Sequence, residues 1–226
     1  NGISEKRIKE YSSYLNLDYI LNNTDRLRPK DGKGIIEYCG ELLSKHNNLK
    51  DLIKDKNFIN CSDPIILSSL LKNCKEFSDK FKIFETPDLI GLAYEYFTSR
   101  NGNGNKEMGQ YFTERPLMRM CFELIDKKDL KKLGINNDST IGDEFCATFG
   151  FPISLRNFLK NKLNIQIKDD NIYGVEYHQK LSRYAILNAV FSMKQFDKVI
   201  KGDSFITNVS PHLDISVHNV PFGKSM

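Results

Sequence analysis

The chain has 226 residues, 40% of them hydrophobic and 11% aromatic, enough for one large or two small globular domains with real cores. No run approaches the ~18 apolar residues of a membrane span, and the opening NGISEKRIKE lacks the apolar heart of a secretion signal, so a soluble cytoplasmic protein is the expectation. A net charge of +4, from 33 basic and 29 acidic residues, is compatible with a polyanionic partner but too mild to indicate one, and the five scattered cysteines form no C-x-x-C pair that would signal zinc or a disulfide framework.

The first hundred residues read mainly as helices. Ile8, Tyr11, Leu15 and Tyr19 recur at helical spacing, as do Ile36, Cys39, Leu42 and Leu43. Ser62-Asp63-Pro64 is a helix start with proline near the first turn, and Thr86-Pro87-Asp88 opens a further helix through Leu89, Leu92, Tyr96 and Phe97. Ser99 to Asn105, SRNGNGN, has the composition of a loop.

Beyond it the character changes. Pro116 to Leu124 reads as a helix, Thr140 to Asp143 as a strand, and Ile153 to Leu163 as a helix. Asn171 to Glu176 is a strand and Gln179 to Met193 a helix; Lys198 to Ile200 leads into Gly202-Asp203, and Leu213 to Val217 is the last strand. Alternating strands and helices predict a parallel sheet with ligands at the carboxyl ends of its strands. Asp143, Glu176, Asp203 and Asn219 each close an apolar run and belong at that rim.

Their chemistry can be read from residue type. An acid at the end of a second strand accepts hydrogen bonds from ribose hydroxyls in nucleotide-binding sheets, which suits Glu176. Asn219-Val220-Pro221-Phe222 suits an exocyclic amine on a base, a poor nucleophile because its lone pair is delocalised into the ring. The Asn219 side-chain carbonyl and the main-chain carbonyl of Val220 can accept its N–H groups, Pro221 stiffens the loop, and Phe222 can stack on a base taken out of the duplex. Such a reaction needs no metal, only an electrophile carrying its own leaving group, as a sulfonium methyl donor does.

Six stretches resemble, in order, those of type I restriction-modification modification subunits, an adenine-N6 DNA methyltransferase family. Asp88 to Phe97 resembles the D-L-x-G-x-x-Y-E-Y-L helix, and Gly109-Gln110-Tyr111-Phe112-Thr113 the G-x-[FY]-[FY]-T-P motif. Asp143 to Phe151, DEFCATFGF, resembles D-P-x-C-G-T-G-G-F. Gly174-Val175-Glu176 resembles G-x-E, Gly202-Asp203-Ser204 resembles G-D-[ST], and Asn219 to Phe222 resembles N-P-P-[FY]. The resemblance covers roughly residues 85–223 and implies S-adenosylmethionine as cofactor and DNA as partner, with a specificity or other subunit supplying target recognition. It implies cofactor contacts from Tyr111, Thr113, Asp143, Cys146, Thr148, Gly150, Glu176 and Asp203, and a target-amine loop of Asn219, Val220, Pro221 and Phe222.

The implied fold is a helical amino-terminal domain over residues 1–84, then over 85–226 the first four strands of a Rossmann-like methyltransferase sheet, ordered 3-2-1-4 and incomplete at its carboxyl end. A fragment, a partner that supplies the missing strands, and a truncated relic are the three expectations for that end. The sequence also departs from the family pattern. Ala147 and Phe149 replace glycines that let the backbone approach the cofactor, Glu144 and Glu114 replace prolines, and Val220 replaces the first proline of the amine loop. Phe149 is expected either to fill the cofactor pocket or to force the loop into another shape. A catalytically inactive structural or nucleic-acid-binding descendant therefore stands beside the enzyme, and methylation of another amine stands behind both. A Rossmann dehydrogenase is disfavoured because no G-x-G-x-x-G follows the first strand.

Overall fold

The computed structural model describes residues 17–27, 34–44, 63–81, 88–100, 112–193, 197–206 and 212–220. The chain divides into two compact units, Asn1–Ile83 and Phe84–Met226.

In the first unit, helix α1 (Leu17–Asn22) and a 3-10 turn (Thr24–Arg26) are followed by α2 (Ile35–Leu43) and α3 (Pro64–Phe81). Pro64 occupies the first helical position of α3, where its missing N–H costs nothing. Asp63 caps the helix: its Oδ1 accepts from the N–H of Ile65 at 2.8 Å and of Ile66 at 3.2 Å. The apolar stripes meet in a core of Leu27, Ile35, Cys39 and Leu67, flanked by Tyr19, Ile20, Tyr38 and Leu71. The expected helix through Ile8, Tyr11 and Leu15 lies outside the described residues before Leu17, as does most of the Ser99 to Asn105 loop.

The second unit opens with α4 (Leu89–Arg100), α5 (Arg115–Glu123) and α6 (Lys127–Lys132). The sheet and its helices follow as β1 (Ile141–Asp143), α7 (Gly150–Phe158), β2 (Ile172–Glu176), α8 (Gln179–Met193), β3 (Val199–Lys201) and β4 (Ile215–Ser216). The α7 helix continues through a π-turn at Leu159–Leu163. All pairings are parallel and the strand order is β3-β2-β1-β4, the order the resemblance implies. The central strands are buried on both faces, as a parallel sheet under helices requires. Ile141, Ile172, Val175 and Val199 of the sheet, Ile153 and Leu155 of α7 and Leu181, Ala185 and Ala189 of α8 are all buried.

Two differences from the sequence reading have local causes. Helix α7 starts at Gly150, three residues before Ile153, because Pro152 is tolerated inside a first turn, where the N–H it lacks would have had no intrahelical partner. Helix α6 was not expected: KKDLKK offers only Leu130 to a core, and the helix is set instead by Asp126, whose side chain accepts from the N–H of Lys128 at 2.7 Å. Among the described residues no helix is long and apolar enough to cross a membrane. Among the described cysteines, Cys39 and Cys146 are buried and Cys74 and Cys121 exposed.

Candidate active site

The parallel order brings the carboxyl ends of all four strands to one rim, and the β1–α7 turn is the tightest feature there. Cys146 N–H donates to the Val175 carbonyl at 2.9 Å, and Phe149 N–H donates to the Cys146 carbonyl at 2.6 Å. Ala147 (φ 46°) and Phe149 (φ 71°) both hold the left-handed backbone that glycine adopts freely. The loop thus keeps a glycine-type path without its glycines. Phe149 is wholly buried, and a Cβ placed on Gly174 of β2 would come within 2.6 Å of its Cε2. The ring therefore packs behind the loop on β2. It does not line the cleft in front.

That cleft is lined by Glu95, Thr113, Arg115, Asp143, Phe145, Cys146, Ala147, Thr148, Gly150 and Asn219, together with Phe112, Met118 and Phe151. It is narrow, with about 50 Å³ of open space. Asp143 is 2% exposed and its Oδ1 accepts from the N–H of Phe145 at 2.8 Å. Burial, with smaller contributions from Glu144 and Glu176, raises its pKa to about 8. The Cys146 thiol is pushed up by burial and, less, by Asp143 and Glu176, which keeps it an inert neutral group.

Along one wall of the cleft runs a polar network that the sequence did not disclose. Arg115 donates from Nη2 to Glu95 Oε1 at 2.8 Å and from Nη1 to Glu95 Oε2 at 3.0 Å, and its Nε bonds Asp88. Its Nη1 also donates to the Thr113 carbonyl at 3.0 Å. Thr148 Oγ1 donates to Glu95 Oε1 at 2.9 Å, and Asn188 Nδ2 donates to Asp88 Oδ1 at 2.7 Å and to the Thr148 carbonyl at 2.8 Å. The network joins α4, α5, α8 and the β1–α7 loop. Gly150 is required by it, since a Cβ there would lie 2.6 Å from Arg115 Nη2. Burial pushes Glu95 upward against the pull of Arg115 and Thr148. The same burial draws Arg115 down, but Asp88 and Glu95 outweigh it, so the guanidinium stays charged.

The residues expected at the site divide into four groups. Thr113, Asp143, Cys146, Thr148, Gly150 and Asn219 come together at the cleft. Asn219 Nδ2 donates to Thr113 Oγ1 at 3.1 Å, which leaves its side-chain carbonyl available as an acceptor. Glu176 and Asp203 stand on the same rim but do not line the cleft. Glu176 is 7% exposed; its Oε2 accepts from the N–H of Ala147 at 2.9 Å and its Oε1 from that of His178 at 2.7 Å, and burial raises its pKa against those bonds. Gly202 N–H donates to the Glu176 carbonyl at 3.1 Å, which brings Asp203 beside it, with Oδ1 accepting from the N–H of Phe205 at 3.0 Å. Val220 is exposed. Tyr111, Pro221 and Phe222 lie outside the described residues.

The family profile for N-6 DNA Methylase matches residues 85–226, more than half of the chain. The chain belongs to the N-6 DNA Methylase family. Among relatives, it is 30% identical over 120 residues to the type II restriction enzyme and methyltransferase RM.BcgI of Heyndrickxia coagulans. That match takes in 51% of this chain and 18% of the relative, so the chain corresponds to a small part of that protein's length. Among solved structures, a candidate class I S-adenosylmethionine-dependent methyltransferase from Listeria monocytogenes is 16% identical with a TM-score of 0.48, over 94% of this chain and 60% of that one. Among the described residues no group of three or more His, Cys, Asp or Glu stands together as a metal site would.

Proposed function

We propose that this chain carries the cofactor loop and the target-amine loop of an S-adenosylmethionine-dependent adenine-N6 DNA methyltransferase of the type I modification-subunit kind. The observation that carries the reading is the convergence of Asp143 and its loop with Asn219 on one cleft, where Asn219 meets Thr113 at 3.1 Å. The relative RM.BcgI favours a restriction-modification setting; the type I kind rests on the ordered motifs.

The lining residues suit the cofactor by charge and donor type. Its methionine end carries a cationic sulfonium, an ammonium and a carboxylate. The cleft offers the carboxyl groups of Asp143 and Glu95, the guanidinium of Arg115 and the hydroxyls of Thr113 and Thr148. Its small open space means that side chains such as Asn219 must shift to admit the ligand, because binding clefts for such molecules usually hold about 300–1,000 Å³. Bound there, S-adenosylmethionine supplies a methyl group on a sulfonium leaving group, which asks for no metal and no covalent nucleophile from the protein.

The remaining work falls to the chain. Asp143 lies at the methionine end, and Glu176 and Asp203, further along the rim, are the acceptors for ribose hydroxyls and the adenine amine. Asn219 and the main-chain carbonyl of Val220 accept N–H groups of the target amine, which favours a pyramidal nitrogen with its lone pair toward the methyl donor. Pro221 stiffens that loop and Phe222 stacks on the flipped base. DNA is the partner, and a specificity or other subunit reads the target sequence.

The inactive alternative, a structural or nucleic-acid-binding descendant, loses its main support because Phe149 does not occupy the cleft. The test is to incubate full-length protein with DNA and S-adenosylmethionine and to look for N6-methyladenine by mass spectrometry. The proposal expects the product with wild type and its loss in Asn219→Ala. Absence of the product with wild type, although the cofactor binds, favours the inactive reading.

A further inference from the structure

The ends of β1 and β4 are joined by a cluster that the methyl-transfer reading does not use. Glu144 stands where the resembled family has proline. Its Oε2 accepts the hydroxyl proton of Ser216 and lies 3.3 Å from His218 Nδ1, and Ser216 Oγ is 3.1 Å from the same nitrogen. The Glu144 main-chain carbonyl accepts from the Ser204 hydroxyl, which brings in the turn after β3. The His218 ring stands edge-on to Phe145 with centroids 5.6 Å apart, and Phe145 lines the cleft. With the Ser216 hydroxyl committed to the carboxylate, Nδ1 must carry a proton for this arrangement to be attractive.

The backbone alone holds this end of the chain weakly. β4 has two residues, and its last ladder bond is Val217 N–H to the Gly142 carbonyl at 3.0 Å. Asn219 lies two residues further on, and its side-chain bond to Thr113 fixes only its tip. Proline at 144 offers no carboxylate, so the cluster belongs to this sequence rather than to the motif. His218 and Glu144 are 36% and 31% exposed, and pairs that wet add little to global stability. Their effect is on where the chain before Asn219 is held.

The geometry points to Glu144 and His218 as positioning residues, a carboxylate–hydroxyl–imidazole clasp that fixes the Asn219 loop against the Asp143 loop. The clasp sets the direction in which Asn219 and Val220 present their acceptors to the target amine. This inference rests on the proposed methyl-transfer reading, and its test separates the two.

Full-length wild type, Glu144→Ala, His218→Ala, the double variant and His218→Asn are compared for single-turnover methylation of duplex DNA, cofactor affinity and amide hydrogen exchange over residues 217–220. Each alanine variant is expected to slow methyl transfer by about tenfold or more, since small misplacement of a reacting group costs that much. Cofactor affinity stays within about twofold. Exchange over 217–220 rises about three- to fivefold, the upper range for a half-exposed pair. The double variant is no worse than either single one, and His218→Asn, which keeps an N–H donor near the place of Nδ1, recovers most of the rate and the protection. Alanine variants that methylate and exchange like wild type, or a double variant whose loss is the product of the single losses, overturn the clasp. If wild type transfers no methyl group, the functional reading fails and the clasp is decided by exchange alone: unchanged protection in the alanine variants overturns it.

Discussion

The ring of Phe149 and the bare Cα of Gly174 occupy one space: a methyl group on Gly174 would collide with the ring at 2.6 Å. A bulky residue stands in the β1–α7 loop where the resembled motif has glycine, and the glycine on the neighbouring strand makes room for it. Truncating it with Phe149→Ala empties a fully buried site and is expected to lower stability by about 3–5 kcal/mol. Cofactor affinity should not improve. Tighter binding in that variant, read by calorimetry, contradicts the placement of the ring behind the loop.

Ala147 differs because it has no ring to lose. Its φ of 46° is a conformation that costs an L-residue about 1–2 kcal/mol relative to glycine. Ala147→Gly is expected to raise stability by about 1 kcal/mol in urea unfolding, the remainder being offset by the greater freedom of glycine in the unfolded chain. A loss of stability would mean that the methyl group packs usefully.

Arg115 holds two carboxylates in place, and they are buried whether or not it is there. Arg115→Ala leaves Asp88 and Glu95 without their cation and is expected to destabilise the second unit by about 3–5 kcal/mol. Arg115→Lys should recover only part, because an ammonium cannot bond both oxygens of Glu95 and the carboxylate of Asp88 in one plane. Full stability in the lysine variant would show that only the charge matters.

These side-chain networks mark the limit of what the sequence discloses. The strands were legible because each is a short apolar run closed by a polar residue; the parallel sheet followed from the alternation of strands and helices, and the strand order from the family resemblance. Asp143, Thr113 and Asn219 were legible as motif members. The Glu95–Arg115 pair was not, because its members are 20 residues apart and neither is placed by apolar periodicity. The fate of Phe149 was not legible either, since it depends on a contact with a glycine 25 positions later that only the strand pairing reveals.

Asp143 gives the fold a pH dependence. Its native pKa is raised from an ordinary value of about 3.9 to about 8, so the native state holds a proton that the unfolded chain has released. The resulting stability is complete below about pH 4, falls as the pH rises, and is gone once the pH passes the native pKa. Asp143→Asn removes this dependence. In urea unfolding from pH 5 to 9, wild type should lose ground steadily to the variant up to about pH 8 and then run parallel to it. Parallel behaviour throughout contradicts the raised value.

The cofactor cleft itself is tested most directly by titrating S-adenosylmethionine into wild-type protein and into Asp143→Ala under calorimetry. One molecule should bind per wild-type chain, with binding lost in the variant. No binding to wild type at millimolar cofactor, or equal binding to both proteins, contradicts a cofactor site at the end of β1.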